Sequence, residues 1–242
     1  MQTLGQRGLM LNETTTAKCQ TAVTQFRIRR EGPEAGLQDA VVHRIPELLN
    51  PAARTWTAAS LPLGAGIPDL VVVSYEPEVF ALAKIGLEDA ELLAYLRAVG
   101  KARLGTIAQR MGHSPDTLSR RLYRLVEAEA IESSANTFWL TPLWRHILPE
   151  IVTIEIKVSN WRRAVEQAAR NRIFAHMSFV AVPERIAQRI RVEPSLRALG
   201  IGLISVAEDG SAVTVRRPRR RRPRVWMYYY QLASILARSK AN

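Results

Sequence analysis

The sequence predicts an α/β protein, a mixed sheet flanked by helices, in which a second, helical unit interrupts the sheet along the chain. Three observations predict it. Leu70-Val71-Val72-Val73 is a short run of mostly β-branched residues, apolar on both faces, as a central strand requires. Ile151 to Val158 alternates, with Val152, Ile154, Ile156 and Val158 on one face and Thr153, Glu155 and Lys157 on the other. Between them, from Leu87 onward, the apolar spacing changes to that of helices.

Residues 1–30 are polar, rich in Thr and Gln, and read as an N-terminal arm. After Gly32-Pro33, Leu37, Val41, Ile45 and Leu48 give a first helix over Glu34 to Leu49, with Pro46 placed to end or bend its last turn. Trp56 to Leu63 reads as a strand and Gly64-Ala65-Gly66 as a turn before Leu70. In the interrupting unit, Leu92, Leu93 and Leu96 mark one helix, and Leu104, Ile107, Ala108 and Met111 a second that ends at Gly112-His113. Ser114-Pro115-Asp116 opens a third: a hydroxyl at the N-cap, proline at the first helical position and a carboxylate at the positive end of the dipole. Leu118, Leu122 and Leu125 are its buried stripe, and Ile131-Glu132 and Phe138-Trp139-Leu140 form a hairpin. That order is the order of a winged helix-turn-helix. Trp161 to Phe174 is then a helix, Met177 to Val182 a strand, Glu184 to Leu199 a helix, and Ile201 to Val206 a strand. Glu208-Asp209-Gly210 is a turn, Ala212 to Val215 a strand, and Met227 to Arg238 a last helix. The expected organisation is an arm at 1–30, a core from 31–85 and 147–242, and an insert at 86–146.

With 242 residues and 47% hydrophobic content the chain can bury a full core. The net charge is +12, and seven arginines between Arg216 and Arg224 account for much of it. A concentrated patch of that kind suits an extended anion such as nucleic acid better than a membrane. A lone Cys19 excludes a disulfide framework and suggests a cytoplasmic home. No apolar run is long enough to span a bilayer, and no cysteine or histidine cluster has zinc spacing.

The chemistry lies in Pro68-Asp69 before one strand and Glu155-Ile156-Lys157 on the other. Glu155 and Lys157 are two apart, hence on one face. Alone, Glu-x-Lys is a solvated ion pair and Pro-Asp an ordinary turn. Their combination on two apolar strands is more specific. Two neighbouring carboxylates repel unless a cation sits between them, and Mg²⁺ or Mn²⁺ takes oxygen ligands and keeps several waters. A lysine beside such a pair can orient a water or stabilise the charge of a phosphoryl transition state.

These residues resemble the PD-(D/E)XK, or restriction-endonuclease-like, nuclease superfamily. The long interval between Asp69 and Glu155 departs from the family, and lifting out the winged helix restores a short connection. Gln167, on the following helix, matches a glutamine of the exonuclease-like branch, whereas Asn171 stands where that branch has a tyrosine. The resemblance implies a metal-dependent DNA nuclease, an endonuclease or exonuclease. Asp69, Glu155 and the carbonyl of Ile156 would hold Mg²⁺ or Mn²⁺, Lys157 would attend the water or phosphate, and Gln167 would orient substrate or lysine. A glutamate on the first helix is also implied, for which Glu34 is the first candidate, then Asp39 and Glu47.

On the third helix of the insert, Thr117, Arg120, Arg121 and Arg124 are expected away from the leucine stripe, where a DNA major groove could accept them. His113 is expected to face solvent in the turn, and His43 and His176 to be structural or uninformative. Arg216, Arg217, Arg219, Arg220, Arg221, Arg222 and Arg224, broken by Pro218 and Pro223, read as an extended segment that could follow a phosphate backbone. Trp226 and Tyr228 to Tyr230 could stack on bases, with core packing the stronger reading for most of them. The partner expected is duplex DNA, with a homodimer one way to cut both strands. The alternatives are a non-catalytic DNA-binding regulator on the same scaffold and an enzyme acting on RNA.

Overall fold

A computed structural model describes residues 21–28, 31–52, 54–63, 66–84 and 87–241. The expected arm lies outside the described residues except at its end, where Val23–Gln25 (β1) is a strand rather than an arm; Cys19 and most of the Gly64–Gly66 turn also lie outside them. The first helix is two. Pro33–His43 (α1) stops at Arg44 and Ile45–Leu49 (α2) restarts, because Pro46 has no N–H to give to the preceding turn. Thr55–Ala59 (β2) is shorter than expected, and Leu70–Ser74 (β3) is buried along its whole length. A 3₁₀ stretch, Pro77–Ala83, leads out of β3.

The chain then leaves the sheet. Leu87–Val99 (α3), Lys101–Arg103 (β4), Leu104–Met111 (α4) and Pro115–Glu127 (α5) precede a hairpin of Ile131–Ser134 (β5) and Thr137–Leu140 (β6). The hairpin turns on Ala135 and Asn136, both at positive φ, as a two-residue hairpin of the right hand demands. β4 has no apolar run to announce it; it adds to β6 to make a three-stranded sheet in the order β4-β6-β5. Ser114 caps α5 as its sequence suggests, its hydroxyl accepting from the Thr117 N–H at 3.3 Å.

Glu150–Ile156 (β7) returns to the large sheet, followed by Trp161–Asn171 (α6), Met177–Pro183 (β8), Glu184–Ile190 (α7), Pro194–Leu199 (α8), Gly202–Val206 (β9), Ala212–Arg216 (β10) and Trp226–Ala241 (α9). The helix expected over Glu184 to Leu199 is broken before Pro194 for the same reason as α1. The seven-stranded mixed sheet runs β1-β2-β3-β7-β8-β9-β10. β3 pairs antiparallel with both β2 and β7, with Leu70 opposite Ile154 and Ser74 opposite Glu150. Strands far apart in sequence are thus direct neighbours, and everything from α3 to β6 is looped out between them.

One face of the sheet is covered by α1 and α2, through Val41 and Ile45 on Val72, Val152, Ile154 and Ile204. On the other, α6, α7 and α8 pack on Val180, Val182 and Leu203. A third apolar cluster runs from Trp56, Val71, Val73 and Ile151 through Tyr229, Tyr230 and Leu236 of α9 to Leu93, Leu96, Ile107, Leu118 and Leu122. The looped-out helices therefore share one continuous core with α9 and the sheet. Tyr229 and Tyr230 are spent there: the Tyr229 hydroxyl accepts from the Leu148 N–H at 2.8 Å, and the Tyr230 hydroxyl donates to the Trp144 carbonyl at 2.8 Å. Neither is available to stack on a base. Among the described residues no helix is long and apolar enough to cross a membrane.

Candidate active site and nucleic-acid interface

Asp69 precedes β3 at the end where β7 finishes. The antiparallel register brings it against the last residues of β7, and its Oδ2 accepts the Ile156 main-chain N–H at 2.7 Å. β7 ends two residues sooner than the alternation suggests, so Lys157 is the first residue of the exit; its N–H still bonds the Ala181 carbonyl of β8 at 3.1 Å. The Lys157 ammonium donates to the Ile156 carbonyl at 2.8 Å and lies 3.5 Å from Asp69 Oδ2 and 3.3 Å from Glu34 Oε2. Glu34, in the first turn of α1, thus reaches the same lysine. Asp39 and Glu47 do not join them. The Asp39 carbonyl takes the His43 ring at 2.8 Å, and Glu47 pairs with Arg44 at 3.4 Å.

Glu155 is the buried member, 1% exposed. Asn171, at the end of α6, donates to its Oε1 at 2.6 Å, while Oε2 is buried with no hydrogen-bond partner among the described residues. Burial, with the Asp69 charge adding to it, pushes the Glu155 carboxyl up to about 8, against the pull of Asn171, Lys157 and Arg170. Burial also raises Asp69, opposed by the Ile156 N–H and Lys157. Gln167 lies one turn before Asn171 on α6. Its Oε1 is buried without a partner, no hydrogen bond joins it to Lys157 among the described residues, and the contact to the acid comes from Asn171, one turn further along α6. The sequence signal for Asn171 was only its place, four residues after Gln167.

The donor set suits a hard divalent cation. It offers two carboxylates that repel each other, one oxygen of them orphaned, and the Ile156 carbonyl beside them. Among the described residues no group of three or more His, Cys, Asp or Glu could hold a metal, so a bound ion would keep waters on its remaining positions.

On α5, one of the four expected groove-facing residues is turned inward. Arg121 is 3% exposed, its Nε donating to Asp89 of α3 at 2.8 Å and its guanidinium lying 2.9 Å from His113 Nε2. It sits only three residues from Leu118, at the margin of the stripe, and α3 offers a fully buried carboxylate there. His113 is accordingly tied to the arginine rather than free in solvent. Arg124 stays half-exposed, 3.5 Å from the same aspartate. Thr117 and Arg120 are exposed, and with Tyr123 and Arg124 they line a shallow cavity.

The basic segment is extended, as its prolines require, but it is not loose. Its main-chain N–H groups at Arg219, Arg221 and Arg224 donate to the carbonyls of Gly200, His176 and Ile173 at 3.0, 2.9 and 2.7 Å. Those acceptors precede β8 and β9 or end α6, so the segment is a strap across the N-terminal ends of the strands. Glu155 and Lys157 lie toward the other, C-terminal end of β7. Two arginines expected to face a phosphate backbone are used internally. Arg220 pairs with Glu150 and donates to the Pro149 carbonyl at 2.8 Å, and Arg216 donates to the Arg191 carbonyl at 2.7 Å. Arg217, Arg219, Arg221, Arg222 and Arg224 are exposed. His176 is structural, its Nδ1 accepting the Ile151 N–H at 3.0 Å, whereas His43 is exposed on α1.

Compared with family models, curated proteins and solved structures, the chain matches none.

Proposed function

We propose that the protein is a metal-dependent nuclease that hydrolyses phosphodiester bonds in DNA. The observation that carries this reading is the convergence of Asp69, Glu155 and Lys157, from two distant stretches, on adjacent strand ends. The restriction-endonuclease-like reading of the core draws support from the sequence α1-β2-β3-β7-α6-β8, in which the three antiparallel strands and β8 are consecutive in the sheet. The winged-helix reading of the insert draws support from the order α3-β4-α4-α5-β5-β6 with its three-stranded sheet.

Mg²⁺ or Mn²⁺, held by Asp69, Glu155 and the Ile156 carbonyl, would supply a nucleophilic hydroxide near neutral pH and Lewis-acid charge at the phosphate. The chain's own part is preparation. The Ile156 N–H fixes the Asp69 carboxylate, Asn171 fixes that of Glu155, and both are therefore aimed before any ligand arrives. Lys157, steered by Glu34, presents its ammonium where negative charge builds on a phosphoryl oxygen. Arg120, Arg124 and Thr117 of α5 give the protein a cationic helix face for a DNA groove.

A non-catalytic DNA-binding regulator has one observation on its side: the Lys157 ammonium already sits on the Ile156 carbonyl that a metal would use. Incubation with plasmid, linear duplex, single strand and RNA, with Mg²⁺, Mn²⁺ or chelator, separates the readings. Metal-dependent cleavage lost in Asp69→Ala and Lys157→Ala supports the nuclease. Binding without cleavage of any substrate supports the regulator.

A further inference from the structure

The strap encloses a second feature. A cavity of about 200 Å³ is lined by Arg172, Arg221, Arg222 and Arg224, with Ala169, Ile173, Ala198 and Leu199 between them. Four arginines line it and no acidic residue does. Among the described residues none of the four makes an ion pair, whereas Arg220, their neighbour in the strap, is matched by Glu150. Like charges brought together without a counterion cost free energy, and a fold keeps such a group when an anion completes it.

The deepest of the four is also the most constrained. Arg172 is 8% exposed, and its Nε is buried with no hydrogen-bond partner among the described residues. Its terminal nitrogen donates to the Arg219 carbonyl at 3.1 Å, which ties the side chain to the strap. The guanidinium lies over Gly200, where a Cβ would stand 2.8 Å from it and 2.9 Å from the Arg219 Cβ. Gly200, which ends α8 at a φ of +65°, is therefore needed twice: for the turn, and for the passage of the arginine. The strap's main-chain bonds to His176 and Ile173 fix where Arg221 and Arg224 leave the backbone, so little ordering remains to be done on binding.

We propose that this cavity is a phosphate-binding site. Its charge suits a phosphate group, and arginine forks match phosphate oxygens in pairs. Its volume is below the range of sites that enclose a whole drug-sized ligand, so it takes the phosphate and leaves the rest of the molecule outside. Burial and the neighbouring guanidiniums of Arg221, Arg219 and Arg224 lower the proton affinity of Arg172, the mutual repulsion expected of such a set. The phosphate comes either from a nucleic-acid strand or from a free phosphate compound. The first source rests on the nuclease reading above and gives the protein a second grip on the strand, through Arg172, next along the chain to Asn171, which holds Glu155; the second does not depend on it.

The test uses the full chain in chelator, so that nothing is cleaved, with two variants. Arg172→Gln removes the buried anchor, and Arg221→Gln/Arg224→Gln removes two exposed side chains that make no ion pair. Arg185→Gln/Arg189→Gln on α7, both exposed, is the control of equal charge loss. Calorimetric titration with pyrophosphate at fixed ionic strength should show binding to the parent and the control, weakened at least tenfold in both variants. Anisotropy with labelled duplex should show a roughly tenfold loss and a salt slope shallower by about one to two in the double variant. Pyrophosphate binding without any binding of DNA or RNA assigns the site to a free phosphate compound and removes the nuclease reading. Parent, control and both variants binding DNA alike and pyrophosphate alike overturns the site and leaves the nuclease reading standing. No binding of pyrophosphate or nucleic acid by the parent overturns it as well. Should Arg172→Gln unfold, the double variant alone decides.

Discussion

The Ile156 main-chain N–H donates to Asp69 Oδ2 at 2.7 Å, joining the end of β7 to the turn before β3. This one bond aims the carboxylate and extends the ladder between two strands separated in sequence by the whole of the looped-out unit. It also makes Asp69 a residue with two separable roles. Asp69→Asn retains an oxygen for the N–H but removes the charge. Expected is a loss of cleavage of about 10³-fold or more, with a melting temperature within a few degrees of the parent; Asp69→Ala should lose both activity and stability. Cleavage kinetics beside thermal melts check the pair.

Glu155 is held at a cost. Its folded-state carboxyl titrates near 8 because of burial and Asp69, well above an unfolded glutamate. The folded state therefore binds the extra proton between about 4.5 and 8, and the metal-free protein loses stability as pH rises through that window. Glu155→Gln keeps the hydrogen bond from Asn171 through its Oε1 and cannot ionise. It should be more stable than the parent at pH 8.5, by a few degrees in melting temperature, equal to it at pH 5, and inactive. Melts at the two pH values in chelator test the sign.

The same proton governs metal uptake. A carboxylic acid must ionise to ligate, so Mn²⁺ binding at pH 7 should release about one proton and tighten as pH approaches 8. Calorimetry of Mn²⁺ binding in two buffers of different ionisation enthalpy gives the number directly. A metal that binds with no proton release would contradict the role of Glu155.

Arg121 and Arg120 are neighbours on α5 with different fates. Arg121→Ala removes the close guanidinium partner of the buried Asp89 and should destabilise by about 3–5 kcal/mol. Arg120→Ala should leave stability unchanged within about 0.5 kcal/mol and weaken DNA binding severalfold. Urea titrations and anisotropy on both variants separate support of the helix from contact with DNA.

His176 sets an acid limit. Its ring accepts the Ile151 N–H, and burial, with Arg220 and His146 adding to it, lowers its proton affinity to about 4. The unfolded chain binds the extra proton between about 6.5 and 4, so the contribution is complete above pH 6.5 and is lost as pH falls through that window. The parent should lose about 2 kcal/mol more than His176→Gln between pH 7 and pH 4, allowing for the ring's partial exposure. Denaturant midpoints across that range measure it.

The sequence alone determined most of the elements, because their signals are local. β3 and β7 announce themselves by β-branched runs, α5 by Ser114-Pro115-Asp116, and the end of α1 by Pro46, whereas β1, β4 and the break before Pro194 went unannounced. The pairing of Pro68-Asp69 with Glu155-Ile156-Lys157 was legible too, since burying charge at the ends of apolar strands needs a reason. What the sequence left open was decided by tertiary neighbours. A helical wheel puts Arg121 at the edge of the leucine stripe, and only the presence of Asp89 on α3 turns it inward. Asn171 counted as a departure from a motif until α6 laid it against Glu155. The arginine run looked like a free polycation, yet hydrogen bonds to Gly200, His176 and Ile173, residues from three separate connections of the chain, turn it into a strap with a cavity beneath. Periodicity and capping are properties of a few consecutive residues; a partner for a charge is a property of the folded whole.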